Sequence, residues 1–275
     1  MSRRPIPGRA RHRTPDDDYE FEWAGEHPVR ERVYRGVVGI ARGVFWLLDI
    51  RFDIRGAEHL PASGPAVIAS NHISYLDFAF VGLIALQRQR MVRFLAKGSV
   101  FHLPLIGPLM KAMGHIPVNR ASGGGAGAYR HAERALEADQ LVGVFPEATI
   151  SRAWTLKPFK VGAAALAVEQ RVPLVPIVTW GGHRLVTVDR RYHLRRHLPV
   201  TIAVGVPILP GPADTVPQVN ARLQEAMAAL LDTVQRDYPE RPAHLRDRWW
   251  LPAYLGGSAP DPVQAAVIDA ARIGR

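Results

Sequence analysis

The chain contains no cysteine. That excludes a disulfide framework, a thiolate nucleophile and a Cys-ligated metal centre, and it fits a reducing compartment. Lysine is nearly as scarce: Lys97, Lys111, Lys157 and Lys160 are the full set. Long apolar runs are missing too. The most apolar early stretch, Val37–Leu48, carries Arg42 and ends at Asp49, short of the ~20 residues a membrane-spanning helix needs. The eleven histidines are scattered and no His-Glu-x-x-His occurs, so neither a metal nor another cofactor is expected. Without a helix-turn-helix, zinc-finger or aromatic RNA-binding signature, no specific nucleic-acid partner is expected. Ser2-Arg3-Arg4 is followed by Pro, Arg and Asp rather than an apolar stretch, so no export signal is read.

What is present is 275 residues with a formal charge of +10, from 35 basic and 25 acidic side chains. A chain of this length buries roughly 75% of its unfolded surface, enough for one large domain without staples. The charge draws polyanions, including anionic lipid headgroups and phosphorylated cofactors.

Residues 1–27 combine Arg, Pro and Gly with the acidic run Asp16-Asp17-Asp18, a composition with little to bury, and a disordered tail is expected. Residues 28–50 read as an amphipathic, membrane-proximal helix, with Arg30, Arg32, Arg35 and Arg42 set among Val33, Val37, Val38, Phe45 and Trp46. Such a helix either lies in a membrane interface or packs on the core with its arginines in water. Residues 51–238 then alternate short apolar runs with helical patterns. Strands are predicted at Ala66–Ser70, Val92–Ala96, Ile116–Val118, Leu141–Phe145, Leu174–Trp180 and Val200–Val206. Helices are predicted at Tyr75–Gln87, Leu105–Met113, Ala126–Ala138, Lys160–Glu169 and Val216–Asp237. This alternation predicts a single α/β domain with a mixed, largely parallel sheet flanked by helices, with ligands at the carboxyl ends of its strands. Gly123-Gly124-Gly125-Ala126-Gly127 lacks the Gly-Lys-Ser/Thr ending of a P-loop and reads as a linker into the next helix. Residues 239–275 form a C-terminal extension, in which Arg246–Pro252 reads as a clasp on the domain or, less favoured, an interfacial anchor.

The stretch Asn71-His72-Ile73-Ser74-Tyr75-Leu76-Asp77 follows the first of these strands directly. Residues five apart on one regular helix point roughly 140° apart, at about 100° per residue. His72 and Asp77 therefore meet only if the histidine precedes the helix and the aspartate lies in its first turn. Ser74 as N-cap supplies that geometry, with Asp77 at the third helical position. The same spacing is a capping box, in which Asp77 reaches back to a backbone N–H. From these residues alone capping stands ahead of catalysis.

Three more blocks follow in order: Gly114-His115-Ile116-Pro117-Val118-Asn119-Arg120, Phe145-Pro146-Glu147-Ala148-Thr149-Ile150-Ser151-Arg152, and Val172-Pro173-Leu174-Val175-Pro176-Ile177. The set resembles the glycerophospholipid acyltransferases, the family that includes lysophosphatidic acid acyltransferase. Asn71, His72 and Asp77 match its first block, and Gly114, Ile116, Val118 and Arg120 its second. Phe145, Pro146, Glu147, Thr149 and Ser151 match the third, and Val172, Pro173, Pro176 and Ile177 the fourth. Phe159-Lys160-Val161-Gly162 is similar to the segment after the third block. The resemblance covers about Arg51 to Pro210. It departs at Ala148, where glycine is usual, at Ile150, where the family has arginine, and at Gly98, where a second lysine often follows Lys97.

The resemblance implies a glycerol-3-phosphate acyltransferase-like fold and transfer of a fatty acyl group from acyl-CoA or acyl carrier protein to a lysophospholipid hydroxyl. It implies His72 as general base and Asp77 as the group that orients it. It further implies Asn71, Lys97, Gly114, Arg120, Glu147, Thr149 and Lys160 as substrate-binding positions, with Arg152 added by its proximity to the missing arginine. The implied acceptor is 1-acyl-glycerol-3-phosphate, and the implied place is the cytoplasmic face of the cell membrane, held peripherally by an anionic surface. A different alcohol acceptor, or a non-catalytic lipid-binding scaffold of the same fold, is the competing expectation. The apolar segment Val100–Met113, with Met110 and Met113, suits an acyl-chain channel and plain core packing equally.

Overall fold

The computed structural model describes residues 28–118, 125–190 and 192–273. The expected tail of residues 1–27 and Arg120 lie outside them. In chain order the elements are α1 (Pro28–Leu47), β1 (Arg51–Arg55), β2 (Ala66–Ser70), α2 (Asp77–Gln87), β3 (Val92–Lys97), α3 (Ile106–Ala112), β4 (Ile116–Val118), α4 (Gly125–Glu137), β5 (Leu141–Val144), α5 (Gly162–Gln170), β6 (Leu174–Trp180), β7 (Pro199–Val204), α6 (Val216–Asp237) and α7 (Pro262–Ile273).

The strands form one seven-stranded sheet in the order β1-β7-β6-β2-β5-β3-β4. Every neighbouring pair is parallel except β6 and β7. It is the mixed, largely parallel α/β sheet that the alternating pattern predicts. The central strands read as unbroken apolar runs because both faces are covered. Side chains alternate across a strand, so on β2 Val67 and Ala69 join the cluster built with α4, α5 and α6, while Ala66 and Ile68 join the one built with α1 and α2. β2 is buried at all five positions.

Two elements escape the apolar pattern. β1, Arg-Phe-Asp-Ile-Arg, is an edge strand parallel to β7 that alternates charged and apolar residues and so forms no apolar run. α7 presents Val263 and Val267 to solvent, 74% and 65% exposed, and among its described side chains buries Ala265 alone, so its apolar residues do not mark a buried face. Gly125 and Gly127 belong to the first turn of α4 rather than to a linker.

The two Trp residues near the C-terminus are tied into the domain. Trp250 is fully buried, its carbonyl accepts from His183 Nε2 at 2.9 Å, and the Trp249 carbonyl accepts from Trp154 Nε1 at 2.8 Å. The segment thus closes on the fold as a clasp. Between residues 100 and 113, Phe101 and Met113 are buried, but Leu103, Leu105, Ile106 and Leu109 face solvent. Core packing accounts for the ends of that segment and not for its middle.

Candidate active site

The parallel strands deliver their carboxyl ends to one edge of the sheet, where α/β proteins collect their chemistry. Asn71 and His72 follow β2, Glu147 follows β5, Lys97 ends β3, and Thr179 lies near the end of β6. Because β5 and β6 flank β2, their ends converge on His72 from either side.

His72 Nδ1 lies 3.0 Å from Asp77 Oδ2. The same oxygen accepts the backbone N–H groups of Ile73 at 2.8 Å and Ser74 at 2.7 Å, and Oδ1 accepts the Thr179 hydroxyl at 2.8 Å. An oxygen already facing two N–H donors is an acceptor, so the imidazole donates through Nδ1 and keeps its lone pair on Nε2. Asp77 is fully buried, whereas the His72 side chain is 22% exposed, which leaves the ring reachable.

The helix starts two residues later than the capping pattern predicts. Asp77 is the first residue of α2 rather than the third, and Leu76 is its cap. Ser74 is drawn away: its hydroxyl donates to the Val186 carbonyl at 2.7 Å and accepts the Leu76 N–H at 3.1 Å. Thr187 fixes the same turn through the Ile73 carbonyl at 2.6 Å. Even so, the Asp77 carboxylate does reach back to Ser74 N–H. Capping and histidine orientation are performed by one oxygen, so they are not alternatives.

The histidine backbone is held as firmly as its ring. Glu147 Oε1 accepts His72 N–H at 2.8 Å, Glu147 Oε2 accepts Lys157 N–H at 2.9 Å, and the His72 carbonyl accepts Ser151 N–H at 2.8 Å. Burial pushes the Glu147 pKa up to about 8, against the downward pull of the two N–H donors. The imidazole stacks on Phe145, centroids 4.3 Å apart, and Phe145 stacks on Phe94 at 5.7 Å. Gly143 makes room for that stack: a Cβ there would sit 2.5 Å from the Phe94 ring.

The remaining sequence-predicted positions separate into groups. Asn71 is fully buried, and its amide pairs with the Thr179 backbone, donating at 3.0 Å and accepting at 2.7 Å. It therefore joins β2 to β6 and meets no solvent. Gly114 sits at φ +74°, packed beside the Arg93 guanidinium, so it holds a turn that L side chains rarely adopt. Lys97 and Lys160 are exposed, as is Thr149, whose hydroxyl accepts from Lys157 Nζ at 2.6 Å. Arg152 is not a free cation: it pairs with Asp189 at 2.8 Å and with Asp269 of α7.

A family model described as Acyltransferase matches residues 51–180. The 1-acyl-sn-glycerol-3-phosphate acyltransferase alpha of Homo sapiens is 31% identical over 194 residues, 70% of this chain and 68% of that protein. The chain belongs to that acyltransferase family. The chloroplastic 1-acyl-sn-glycerol-3-phosphate acyltransferase LPAT1 of Arabidopsis thaliana is 30% identical over 203 residues, 73% of this chain and 56% of that protein. The crystal structure of the 1-acyl-sn-glycerophosphate acyltransferase PlsC from Thermotoga maritima shares the fold, with a TM-score of 0.65 and 19% identity, over 77% of this chain and 83% of that one. As a member of this family the chain is an O-acyltransferase.

The two departures from the acyltransferase third block have visible consequences. Ala148 takes φ +63°, the left-handed region that glycine enters freely and that costs an L-residue roughly 1–2 kcal/mol. Ile150 is buried, 8% exposed, so nothing cationic replaces the family's arginine at that position. Sequence reasoning missed Thr179 and Lys157. Thr179 lies 102 residues from the carboxylate it bonds, and nothing local connects them. Lys157 carried one signal, its membership of the four-lysine set.

Proposed function

We propose that this acyltransferase moves a fatty acyl group from acyl-CoA or acyl carrier protein to the free hydroxyl of 1-acyl-glycerol-3-phosphate, giving phosphatidic acid. The observation that carries this reading is the His72 Nδ1–Asp77 Oδ2 contact of 3.0 Å on a ring that remains partly exposed. The acceptor hydroxyl attacks the thioester carbonyl carbon while its proton passes to His72 Nε2. The tetrahedral intermediate collapses with loss of thiolate, and the imidazolium returns the proton to the departing sulfur. Asp77 holds the ring's tautomer and stabilises the imidazolium between those events. With no cysteine in the chain, direct transfer without an acyl-enzyme is the simpler route.

Glu147 and Asn71 position His72 through backbone bonds and serve the substrate indirectly. Gly114 shapes the turn that leads into β4, and Arg120, Arg152, Lys97 and Lys160 supply positive charge for acceptor phosphate and donor. Thr149 lies beside that charge. Guanidinium forks match phosphate oxygens geometrically.

Peripheral attachment to an anionic membrane at the cytoplasmic face is part of the same proposal. It is supported by the +10 charge and by exposed apolar side chains on α1 and just before α3: Trp46 at 82%, Ile40 at 71% and Leu105 at 88%. Aromatic and aliphatic groups beside basic residues suit headgroup depth. Among the described residues no helix is long and apolar enough to cross a membrane.

The test is to incubate purified protein with acyl-CoA or acyl carrier protein and a panel of lysophospholipid and other alcohol acceptors, alongside His72→Ala. Transfer to 1-acyl-glycerol-3-phosphate that is lost in the variant is expected. No transfer to any acceptor would sink the enzymatic mechanism, and covalent acyl-protein formed with donor alone would sink the direct route.

A further inference from the structure

The Asp269 carboxylate of α7 is held by two cations of the third-block segment, one on each oxygen. Arg152 Nη1 pairs with Oδ1, and Lys157 Nζ donates to Oδ2 at 2.5 Å. Lys157 Nζ also donates to Thr149 Oγ1 at 2.6 Å. These cations stand beside the histidine. Ser151, next to Arg152, donates its N–H to the His72 carbonyl, and Lys157 N–H shares the Glu147 carboxylate with His72 N–H.

The seat of α7 is built mostly from charge. Besides Asp269, Arg272 pairs with Asp189, which also receives Arg152. Among the described side chains Ala265 is the buried apolar contact of the helix, while Val263 and Val267 point outward. A helix seated by ion pairs with little apolar burial is released by a competing anion far more readily than one seated in a core. The side chains of Arg152, Lys157 and Asp269 are 13%, 26% and 19% exposed, so the cluster borders solvent.

We infer that Asp269 stands in for the acceptor's phosphate, so that Lys157, with Arg152 and Thr149, forms a phosphate site and α7 is an autoinhibitory latch across it. This rests on a phosphomonoester acceptor as proposed above. Binding of that phosphate displaces the carboxylate, frees α7, and leaves the acceptor's glycerol hydroxyl on the His72 side of the cluster. It also explains how Ile150 is tolerated: the cations come from two and seven positions further along the chain.

The test uses the full chain as wild type, Asp269→Asn and Arg272→Ala, the last loosening the helix through Asp189 while Arg152, Lys157 and Thr149 themselves are retained. KM for 1-acyl-glycerol-3-phosphate should fall about five-fold or more in Asp269→Asn, with a smaller fall in Arg272→Ala. KM for an unphosphorylated monoacylglycerol should change little. Independently of turnover, hydrogen exchange across residues 262–272 of the wild type should quicken with inorganic phosphate and not with chloride of equal ionic strength. An unchanged or raised KM in Asp269→Asn, or equal falls for both acceptors, would overturn the latch. Exchange insensitive to phosphate would overturn it as well. If the wild type transfers nothing to 1-acyl-glycerol-3-phosphate, the acceptor assignment fails, and the exchange arm still decides whether the site takes phosphate.

Discussion

Two neighbouring regions of this acyltransferase handle charge in opposite ways. Around His72, the Asp77 and Glu147 carboxylates are buried and satisfied by groups from adjacent strands and turns. From Thr149 to Lys157, the charged groups border solvent and are matched by Asp269, more than a hundred residues away. Buried, fully partnered groups are costly to rearrange, because each lost partner exposes an unpaired polar atom. Ion pairs that border solvent exchange partners more easily than buried, fully partnered groups, because water and dissolved ions can replace a lost partner. The first region is suited to fixed orientation of a base, and the second to a ligand that comes and goes.

The largest effect expected from breaking the fixed region is on turnover. His72→Ala should lower kcat by about 10²–10⁴ while the melting temperature falls far less, since the ring is partly exposed and its loss removes only the Asp77 contact and the stack on Phe145. Steady-state rates beside a thermal melt check both halves.

Asp77→Asn should lower turnover and stability together. An amide nitrogen cannot accept, so one or more of the four donors to Asp77 loses its partner, at about 1–3 kcal/mol. A variant that lost stability alone, or turnover alone, would separate capping from orientation and contradict the shared oxygen seen here.

Glu147 carries a pH signature. Its pKa in the fold, about 8, lies above its ordinary 4.5, so between those values the folded chain keeps a proton that the unfolded chain has released. The stability this contributes is complete below pH 4.5 and is lost as pH rises through 8. His115 and His183, driven down to about 3 by burial, act in the opposite sense and only below about 6.5. Denaturant midpoints between pH 6.5 and 8.5 should therefore fall with rising pH in the wild type. The slope should flatten in Glu147→Gln, which is less stable throughout because Gln accepts through one oxygen.

The smallest expected effect lies at the boundary of the two regions. Ala148→Gly relieves the left-handed backbone but makes the unfolded chain freer, and the balance should be a gain of about 0.5 kcal/mol. Equilibrium unfolding resolves this, and a loss of stability would show that φ +63° carries no strain.

Much of the fold was legible because the chemistry is local. β2, β4 and β6 fall where their apolar runs predict, and β2 and β6, buried at every position, announce themselves without regard to neighbours. β1 forms no apolar run and was passed over, although its charged and apolar residues alternate; its pairing is defined by β7, nearly 150 residues away. The His72–Asp77 spacing was visible, yet the helix start moved to Asp77 because Val186 and Thr187, distant in sequence, hold residues 73 and 74 in place.

By itself, then, the sequence determined the covered parallel strands, the carboxyl-end placement of His72 and Glu147, and the supply of cations near them, because burial and strand period depend on consecutive residues. Only the tertiary structure decided which groups those residues meet. Thr179 on Asp77, Glu147 on the His72 backbone and Asp269 on Arg152 are contacts between separate elements. A hydrogen bond or ion pair depends on distances of a few ångströms, and those are set by how β2, β5, β6 and α7 pack.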